Sequence, residues 1–274
     1  MPELPEVETI RRSLRQHLIS RKISDTQIRN PSLRWPVSAE LPDKLKNQII
    51  VDVLRRGKVV SLKLSDGYLL IHPGMTGKLL LRELTYTPEK HDHLVITLND
   101  CLLVYNDARR FGYAEWAVEM GKTSERFRLK GPDPYEPDFT FDYMKMKLNR
   151  SRTAIKATLM NDKVLLGLGN IYASELLFRA GIHPEEISCR LSDTKINDIF
   201  TNIKPLLDEA ISMGGSTLRD YVDARGQKGN FQKAHQVYNR AGLPCNNCQS
   251  VVVKTSIAGR STFYCPACQP SFID

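Results

Sequence analysis

The sequence lacks the features that direct a chain into a membrane or across one. No run approaches the about 20 consecutive apolar residues that a membrane span needs. The opening stretch MPELPEVET has neither the basic start nor the apolar core of a signal peptide. Internal repeats and low-complexity tracts are also missing. We therefore expect ordinary globular domains in a reducing cytoplasm, with no membrane partner.

Positive charge is the main bias of the composition. The 274 residues carry 39 Lys and Arg against 31 Asp and Glu, a formal net charge of +8 with a pI near 9.2. Such a balance favours a polyanionic partner, most simply a nucleic acid. Many basic chains bind no polyanion, so charge alone leaves both interpretations open. The length predicts about two domains, each large enough for its own core.

Four of the six cysteines lie near the C-terminus in two C-x-x-C units. Residues 249–264 separate the units, a spacing typical of one tetrahedral zinc site. Two short β-type runs, VVVKTS and STFYC, predict a zinc-ribbon hairpin. A pair of disulfides is the alternative, but no export signal accompanies it. The predicted ligands of one structural Zn²⁺ are Cys245, Cys248, Cys265 and Cys268.

The other two cysteines, Cys101 and Cys189, stand apart from this cluster. Both have apolar sequence neighbours, and free cysteine is among the most buried residue types. We predict that both are ordinary buried thiols.

The pattern of residues 1–130 predicts a β-sandwich or barrel with one leading helix. Val7, Ile10, Leu14 and Leu18 recur at helical spacing. LKLSDGYLLI and LVITLNDCLLVY each place a turn pair between apolar runs, as β-hairpins do. This segment is the first predicted domain.

Three further segments are predicted after the β-rich part. Prolines interrupt both periods in KGPDPYEPDFT, which predicts a linker over 131–150. Residues 151–234 have a helical pattern and end in a polar, Gly-rich loop, GGSTLRDYVDARGQKGNF. The zinc ribbon occupies 235–269. The predicted fold class is therefore α+β multidomain: a β-sandwich with a leading helix, a helical domain and a zinc-ribbon β-hairpin.

Pro2 has chemistry of its own if Met1 is removed, as usually happens when proline follows the initiator. An N-terminal α-amine has a pKa near about 7.7–8.0, so a fraction is an unprotonated nucleophile at neutral pH. A secondary amine condenses with an aldehyde to a cationic iminium, an electron sink for elimination. Glu3 is close enough for general acid or base work. The alternative is that these residues only favour the start of a helix.

A series of short motifs covers essentially the whole chain. In order they are MPELPEVETIRR, RRGK (55–58), HPGMTGK (72–78), EKHDH (89–93), YNDARRFG (105–112), TAIK (153–156), GLGNIYASE (167–175), GGSTL (214–218), QVYNRAGLPC (236–245) and AGRSTFYCPAC (259–268). Together they resemble the bacterial formamidopyrimidine-DNA glycosylases, which remove oxidised purines. PELPEVE separates the chain from the sister endonuclease VIII branch, whose start resembles PEGPE.

The resemblance implies roles for four catalytic residues. Pro2 would attack C1′ of the damaged nucleoside and form the iminium. Glu3 would act beside it as acid and proton shuttle. Lys58 would serve the β-elimination that cuts the strand, and Arg260 would bind flanking phosphates and assist the δ-elimination. Taken alone, Lys58 or Arg260 would be a solvated surface cation.

The resemblance also implies how DNA is held and opened. An extruded nucleotide leaves a hole in the stack, which Met75, Arg109 and Phe111 would fill; alone, Met75 and Phe111 would be assigned to the core. GLGN would join two helices of a helix–two-turn–helix motif. Ser216 and the main chain up to Tyr221 would contact the lesion base. The implied DNA-binding residues are His72, His91, Arg109, Arg152, Lys156, Asn170 and Tyr238.

Three positions depart from the family pattern. Pro73 stands where Leu is usual, which removes a backbone donor beside the intercalating segment. Asn239 replaces a common Gly, and Ser151 stands where a basic residue is frequent, between Arg150 and Arg152. None removes a proposed catalytic group, so they bear on rate and lesion preference.

The resemblance thus implies a DNA-formamidopyrimidine glycosylase with apurinic or apyrimidinic site lyase activity. Its partner would be damaged double-stranded DNA, its state a monomer and its location the bacterial nucleoid. Zinc would only shape the hairpin that carries Arg260. One alternative is a glycosylase of the same fold that prefers oxidised pyrimidines. The other is a zinc protein that binds damaged or bent DNA without chemistry.

Overall fold

The computed structural model describes residues 2–120, 127–217 and 221–271. Packing divides the chain into two compact units. The first unit consists of Met1–Arg128 and Ile211–Gln232, and the second of Leu129–Ala210 and Lys233–Asp274. Each unit is described by itself below.

The first unit contains two four-stranded antiparallel sheets and a leading helix. One sheet has the order β1-β6-β7-β5 and the other the order β2-β3-β4-β8. The elements are α1 (Leu4–Leu18), β1 (Ile23–Ile28), α2 (Leu41–Leu45), β2 (Ile50–Arg56), β3 (Val59–Leu64), β4 (Tyr68–His72), β5 (Lys78–Arg82), β6 (Asp92–Leu98), β7 (Leu102–Asn106) and β8 (Tyr113–Ala117).

Helix α1 forms where the periodicity predicts it. Pro5 occupies the first turn, where its missing N–H costs nothing, and Glu3 stands at the N-cap. The apolar stripe of the helix is fully buried in the core that both sheets share. The two predicted hairpins are present as β3–β4 and β6–β7. Gly67, with φ of +72°, makes the first of these turns, and any side chain there would meet Trp116.

The second unit combines helices with a two-stranded hairpin. Its regular elements are α3 (Phe141–Asn149), α4 (Ile155–Leu159), α5 (Asn170–Arg179), α6 (Asp193–Ser212), β9 (Val253–Ile257) and β10 (Arg260–Tyr264). Helix α3 lies inside the segment predicted as a linker. The Thr140 side chain caps the start of this helix by accepting from Tyr143 N at 3.1 Å. The last residues of α6 and the Gly-rich loop group with the first unit.

Two further sequence expectations meet the structure here. Among the described residues, none of the helices is both long and apolar enough to cross a membrane. The prediction of two buried thiols is wrong for Cys189, which is exposed within the short 3₁₀ turn Ser188–Arg190. Cys101 is half-buried, and burial raises the pKa of its thiol.

Candidate active site and nucleic-acid interface

The start of α1 is held by one buried carboxylate. Pro2 and Glu3 are both buried, and Glu3 N donates to Glu6 Oε2 at 2.8 Å. The other oxygen of Glu6 accepts from Ser216 N at 2.7 Å. Tyr221 OH donates to the carbonyl oxygen of Glu6 at 3.2 Å. Glu6 therefore fixes the predicted nucleophile segment and both described ends of the predicted lesion loop.

The loop around Tyr221 is closely fitted to this helix. Gly215 has φ of +77°, and a Cβ there would lie 2.8 Å from Glu6 Oε1. Thr217 Oγ1 donates to Tyr221 O at 3.1 Å. Burial, and then the charge of Glu6, raise the pKa of Tyr221, so its phenol stays protonated and donates. Residues 218–220, part of the predicted base-contacting segment, lie outside the described residues.

The half-buried Lys58 lies in the tight turn that joins β2 to β3. Gly57 takes a φ of +57°, and its carbonyl accepts from Arg55 Nη1 at 3.1 Å. Arg55 Nε also donates to Glu8 Oε2 at 3.1 Å, and its side chain is only 7% exposed. Because Glu8 lies on α1, this ion pair ties the helix that begins beside Pro2 to the strand that leads into the turn of Lys58.

Glu8 is the centre of a cluster of arginines. Its two oxygens accept from Arg11 at 2.8 and 3.0 Å and from Arg12 at 2.9 Å, in addition to Arg55. Burial alone would raise the pKa of Glu8, but hydrogen bonds from Arg11 and Arg12 and the charge of Arg55 outweigh it and lower the pKa. Glu8 is therefore an ionised structural anchor for three arginines.

The three predicted intercalating residues come from two adjacent segments. Met75 lies between β4 and β5, whereas Arg109 and Phe111 lie between β7 and β8. Gly74, with φ of +63°, packs so closely that a Cβ would lie 2.5 Å from Gly112 N. Phe111 is 43% exposed, and the Arg109 guanidinium stands 4.6 Å from its ring centre. The exposure of Phe111 argues against the alternative assignment of this residue to the core.

Two predicted DNA-binding residues of this unit are histidines that lie at strand ends. The half-buried His72 stacks on Tyr113 at 5.4 Å, and its Nδ1 accepts from Gly74 N at 2.9 Å. Pro73, the departure noted above, closes the turn by accepting from Gly77 N at 2.8 Å. His91 is half-buried beside β6.

In the second unit, three predicted DNA-binding residues form one network. Lys156 is 1% exposed, and its Nζ donates to Asn170 Oδ1 at 2.6 Å, Thr262 Oγ1 at 2.8 Å and Ser261 O at 3.2 Å. Asn170 Nδ2 reaches Ser261 O at 2.8 Å and Tyr238 OH at 3.5 Å. The ammonium thus joins α4, the start of α5 and the zinc hairpin. Arg152 and Arg260 are exposed.

The sequence analysis missed Glu175, which is fully buried on α5. Its carboxylate accepts from the backbone N–H groups of Gln236, Val237 and Tyr238 at 2.8, 3.0 and 2.8 Å. Burial raises its pKa, and the three backbone hydrogen bonds oppose that rise. The sequence signal that could have identified Glu175 is an acidic residue within the largely apolar stretch GLGNIYASE. Glu175 fixes the segment that presents Tyr238.

The four C-terminal cysteines form one cluster. Their Sγ atoms all lie within 4.8 Å of one another, with Cys248 and Cys265 at 3.4 Å and Cys245 and Cys268 at 3.9 Å. A tetrahedral ion with Zn–S distances of about 2.3 Å places its sulfurs about 3.8 Å apart. A disulfide needs about 2.05 Å, so the alternative of two disulfides does not fit. The donor set fits one structural zinc.

Comparison with known proteins accounts for this arrangement. Three family models match in chain order: the formamidopyrimidine-DNA glycosylase N-terminal domain over 1–114, the H2TH domain of the same enzymes over 130–222, and the zinc finger found in FPG and IleRS over 242–270. Formamidopyrimidine-DNA glycosylases of Shigella dysenteriae serotype 1 and Escherichia coli O6:H1 are 43% identical over 270 residues, 98% of this chain and 100% of theirs. The chain belongs to the formamidopyrimidine-DNA glycosylase family.

Solved structures of formamidopyrimidine-DNA glycosylases match over the same length. Lactococcus lactis Fpg in complex with DNA that contains an abasic site aligns with a TM-score of 0.89 and 35% identity, over 98% of this chain and 100% of that chain. The MutM (Fpg) protein of Thermus thermophilus aligns with a TM-score of 0.87 and 34% identity, over 98% of both chains. The predicted family, fold class and zinc site are therefore confirmed.

Proposed function

We propose that this chain is a DNA glycosylase that excises 8-oxoguanine and formamidopyrimidines from duplex DNA and then cleaves the strand at the abasic site. One observation carries the proposal: 43% identity to formamidopyrimidine-DNA glycosylases across their whole length. The buried Pro2–Glu3 start of α1 supports the proposal, because the chemistry needs an amine held in one place.

The proposed reaction begins at the Pro2 nitrogen, once Met1 has been removed. That nitrogen forms a bond to C1′ while the bond to the damaged base breaks and the base leaves with a proton. Opening of the sugar ring gives the iminium, and Glu3 supplies the proton that the ring oxygen takes up. Loss of a C2′ proton then expels the 3′ phosphate, with Lys58 assisting. A second elimination expels the 5′ phosphate, with Arg260 beside it.

The proposed substrate is a nucleotide turned out of the duplex. Extrusion costs a few kcal/mol, and wedge side chains offset it by filling the vacated stack. Met75 and Phe111 supply apolar surface, and Arg109 supplies donors for the orphaned base. Ser216 and Tyr221 are proposed to contact the extruded base. The proposed backbone contacts are His72, His91, Arg152, Asn170 and Tyr238. The buried Lys156 is proposed to support DNA binding by holding Asn170 in place.

Damaged duplex DNA is the proposed partner of this chain. The Lactococcus lactis complexes contain DNA with a Fapy-dG or an abasic site. Zinc, when bound to the four cysteines, holds the hairpin that presents Arg260. A monomeric state, no membrane partner, and a place in the cytoplasm at the bacterial nucleoid remain predictions. The domain boundaries at 130, 150 and 234 also remain predictions.

Incision assays decide between this function and its alternatives. The purified protein is given one duplex with 8-oxoguanine opposite cytosine and one with an oxidised pyrimidine, thymine glycol. The proposal predicts faster incision of the 8-oxoguanine strand and 3′- and 5′-phosphate ends. Faster incision of the thymine glycol strand would favour the pyrimidine enzyme. Tight binding without incision, by protein shown to have lost Met1, would favour the non-catalytic binder.

A further inference from the structure

The two wedge segments meet at a carboxylate to which no role has yet been given. Asp107, directly after β7, is fully buried. Its Oδ2 accepts from Gly112 N at 3.0 Å and from Tyr105 OH at 3.3 Å. Its Oδ1 accepts from Arg109 N at 3.3 Å. Asp107 therefore spans the turn that presents Arg109 and Phe111.

The same carboxylate reaches the segment that carries Met75. Thr76 Oγ1 donates to Asp107 Oδ1 at 2.5 Å. The Thr76 hydroxyl also accepts from Arg109 N at 3.1 Å. One hydroxyl thus joins the segment after β4 to the segment after β7, by donating to one residue of it and accepting from another.

The backbone between these contacts has little freedom to adjust. Arg110 takes a left-handed φ of +56°, which is unfavourable for residues other than glycine. Its N–H donates to Asp107 O at 3.2 Å. A Cβ on Gly112 would lie 2.0 Å from Tyr105 OH and 2.2 Å from His72 O. A turn held in a strained conformation needs neighbours that determine it, and Asp107 supplies several of them.

We propose that Asp107 and Thr76 are a positioning pair that makes the two wedge segments one rigid body. Met75, Arg109 and Phe111 then enter the base stack together. Neither Asp107 nor Thr76 touches the reacting atoms. This inference rests on the proposed function, because it assigns a purpose to the wedge of that enzyme.

The chemistry of residue 76 supplies a matched pair of variants. Thr76→Ser keeps a hydroxyl that donates to Asp107 and accepts from Arg109 N. Thr76→Val keeps the shape but removes both hydrogen bonds, and leaves one carboxylate oxygen short of a donor. Both variants keep every residue of the proposed catalytic set.

The test follows wedge entry and chemistry separately. Entry is read by stopped-flow fluorescence of 2-aminopurine placed next to 8-oxoguanine, and chemistry by incision of the same duplex. A single-stranded oligonucleotide with a preformed abasic site serves as a substrate without a stack to open. Melting temperatures of both variants show whether each is folded.

Thr76→Val should slow the fluorescence change and duplex incision by about tenfold, the effect of about 1.4 kcal/mol in a barrier. It should cleave the single-stranded abasic site within about twofold of wild type, and Thr76→Ser should match wild type on both substrates within about twofold, since its hydrogen bonds are kept. Equal behaviour of Thr76→Val and Thr76→Ser on the duplex would overturn the inference. So would an equal loss by Thr76→Val on both substrates.

Failure of the proposed function gives a different pattern. Wild-type protein would then produce the fluorescence change and fail to incise, while Thr76→Val would still slow the fluorescence change. The absence of any fluorescence change with wild-type protein that incises would contradict the wedge itself, and with it the positioning pair.

Discussion

Two turns of the molecule each present an arginine, and they are stabilised in different ways. The turn of Arg109 connects β7 to β8, which belong to two different four-stranded sheets, and the buried Asp107 carboxylate holds it. The hairpin of Arg260 has two strands, and its turn uses Ala258 at φ of +48° and Gly259 at φ of +72°. Two of the four clustered cysteines precede that hairpin in the chain, and the other two follow it. The first turn depends on a core, and the second on a metal.

The sizes of the two cores explain this difference. The core beneath the first turn draws on α1 and both sheets. The cluster around the hairpin consists of Val237, Cys245, Val252, Phe263 and Cys265, two of which are zinc ligands. An isolated two-stranded hairpin is at best marginally stable in water. A cross-link through zinc replaces the core that so short a segment lacks.

Loss of zinc from the hairpin of Arg260 should have the largest effect on activity. In the chain with Cys265→Ser, the hairpin loses a ligand and the ordered position of Arg260. Because a structural zinc site contributes about 10–16 kcal/mol in small peptides, we expect incision to fall by more than about 100-fold. Incision of an 8-oxoguanine duplex measures the effect. Cys189→Ser changes an exposed cysteine outside the cluster and should act like wild type. Full activity of zinc-free protein would contradict the account.

The next prediction concerns Lys156, which contacts the hairpin of Arg260 within the second unit. Lys156→Met leaves Asn170 Oδ1 and Thr262 Oγ1 without their donor, at a cost of about 1–3 kcal/mol. We expect DNA affinity to fall about tenfold or more at every salt concentration. Binding titrations between low and high salt measure it.

The salt slope of those titrations separates positioning from direct contact. The slope of log K against log salt is negative. A lost phosphate contact lowers its magnitude by about 0.9, whereas a lost positioning residue leaves that magnitude unchanged. The buried Lys156 should leave it unchanged, and the exposed Arg152→Met should lower it. A drop of about 0.9 for Lys156→Met would show that its ammonium reaches phosphate.

In the first unit, the neighbouring residues Arg109 and Arg110 provide a matched pair of variants. Arg109 lies over the exposed Phe111 ring, so Arg109→Ala should slow excision opposite cytosine about tenfold through lost contacts to the orphaned base. Its neighbour Arg110→Ala should have a smaller effect. Excision rates opposite each of the four bases measure both. Equal losses for the two variants would remove the special role of Arg109.

Glu8 gives the smallest effect and a defined pH dependence. Because its pKa is lowered in the fold, its ion pairs stabilise the protein above about pH 4.3, the ordinary value, and are lost as the pH falls through the folded-state value. Glu8→Gln should lower the free energy of unfolding near neutral pH by about 1 kcal/mol or less. The difference should shrink below about pH 4.3, where wild type protonates too. Melting temperatures of wild type and Glu8→Gln, taken from about pH 3 to about pH 7, measure this difference.

A control variant guards this last prediction. Glu40→Gln breaks an exposed ion pair with Lys44 and should follow the wild-type curve. If Glu8→Gln also followed the wild-type curve throughout, Glu8 would not anchor its arginines.

Local patterns predicted much of the fold, and long-range contacts account for what they missed. Helical spacing predicts α1, turn pairs predict two hairpins, and cysteine spacing predicts the zinc site. Their own chemistry made Pro2 and Glu3 candidates for catalysis, whereas Lys58 and Arg260 came from the family resemblance. The carboxylates Glu6, Glu8, Asp107 and Glu175 were not predicted, because each has at least one hydrogen-bond partner that is distant in sequence. Glu6 and Ser216, for example, are separated by 210 positions.

The central claim is that the Pro2 nitrogen becomes covalently bound to the damaged strand. Borohydride is added while the protein acts on an 8-oxoguanine:cytosine duplex, and the intact mass of the same preparation shows whether Met1 is absent. The account predicts a protein–DNA adduct of reduced iminium, mapped by peptide mass spectrometry to Pro2 and missing when the Pro2 amine is blocked. Absence of an adduct from protein that begins at Pro2, or an adduct on another residue, would contradict it.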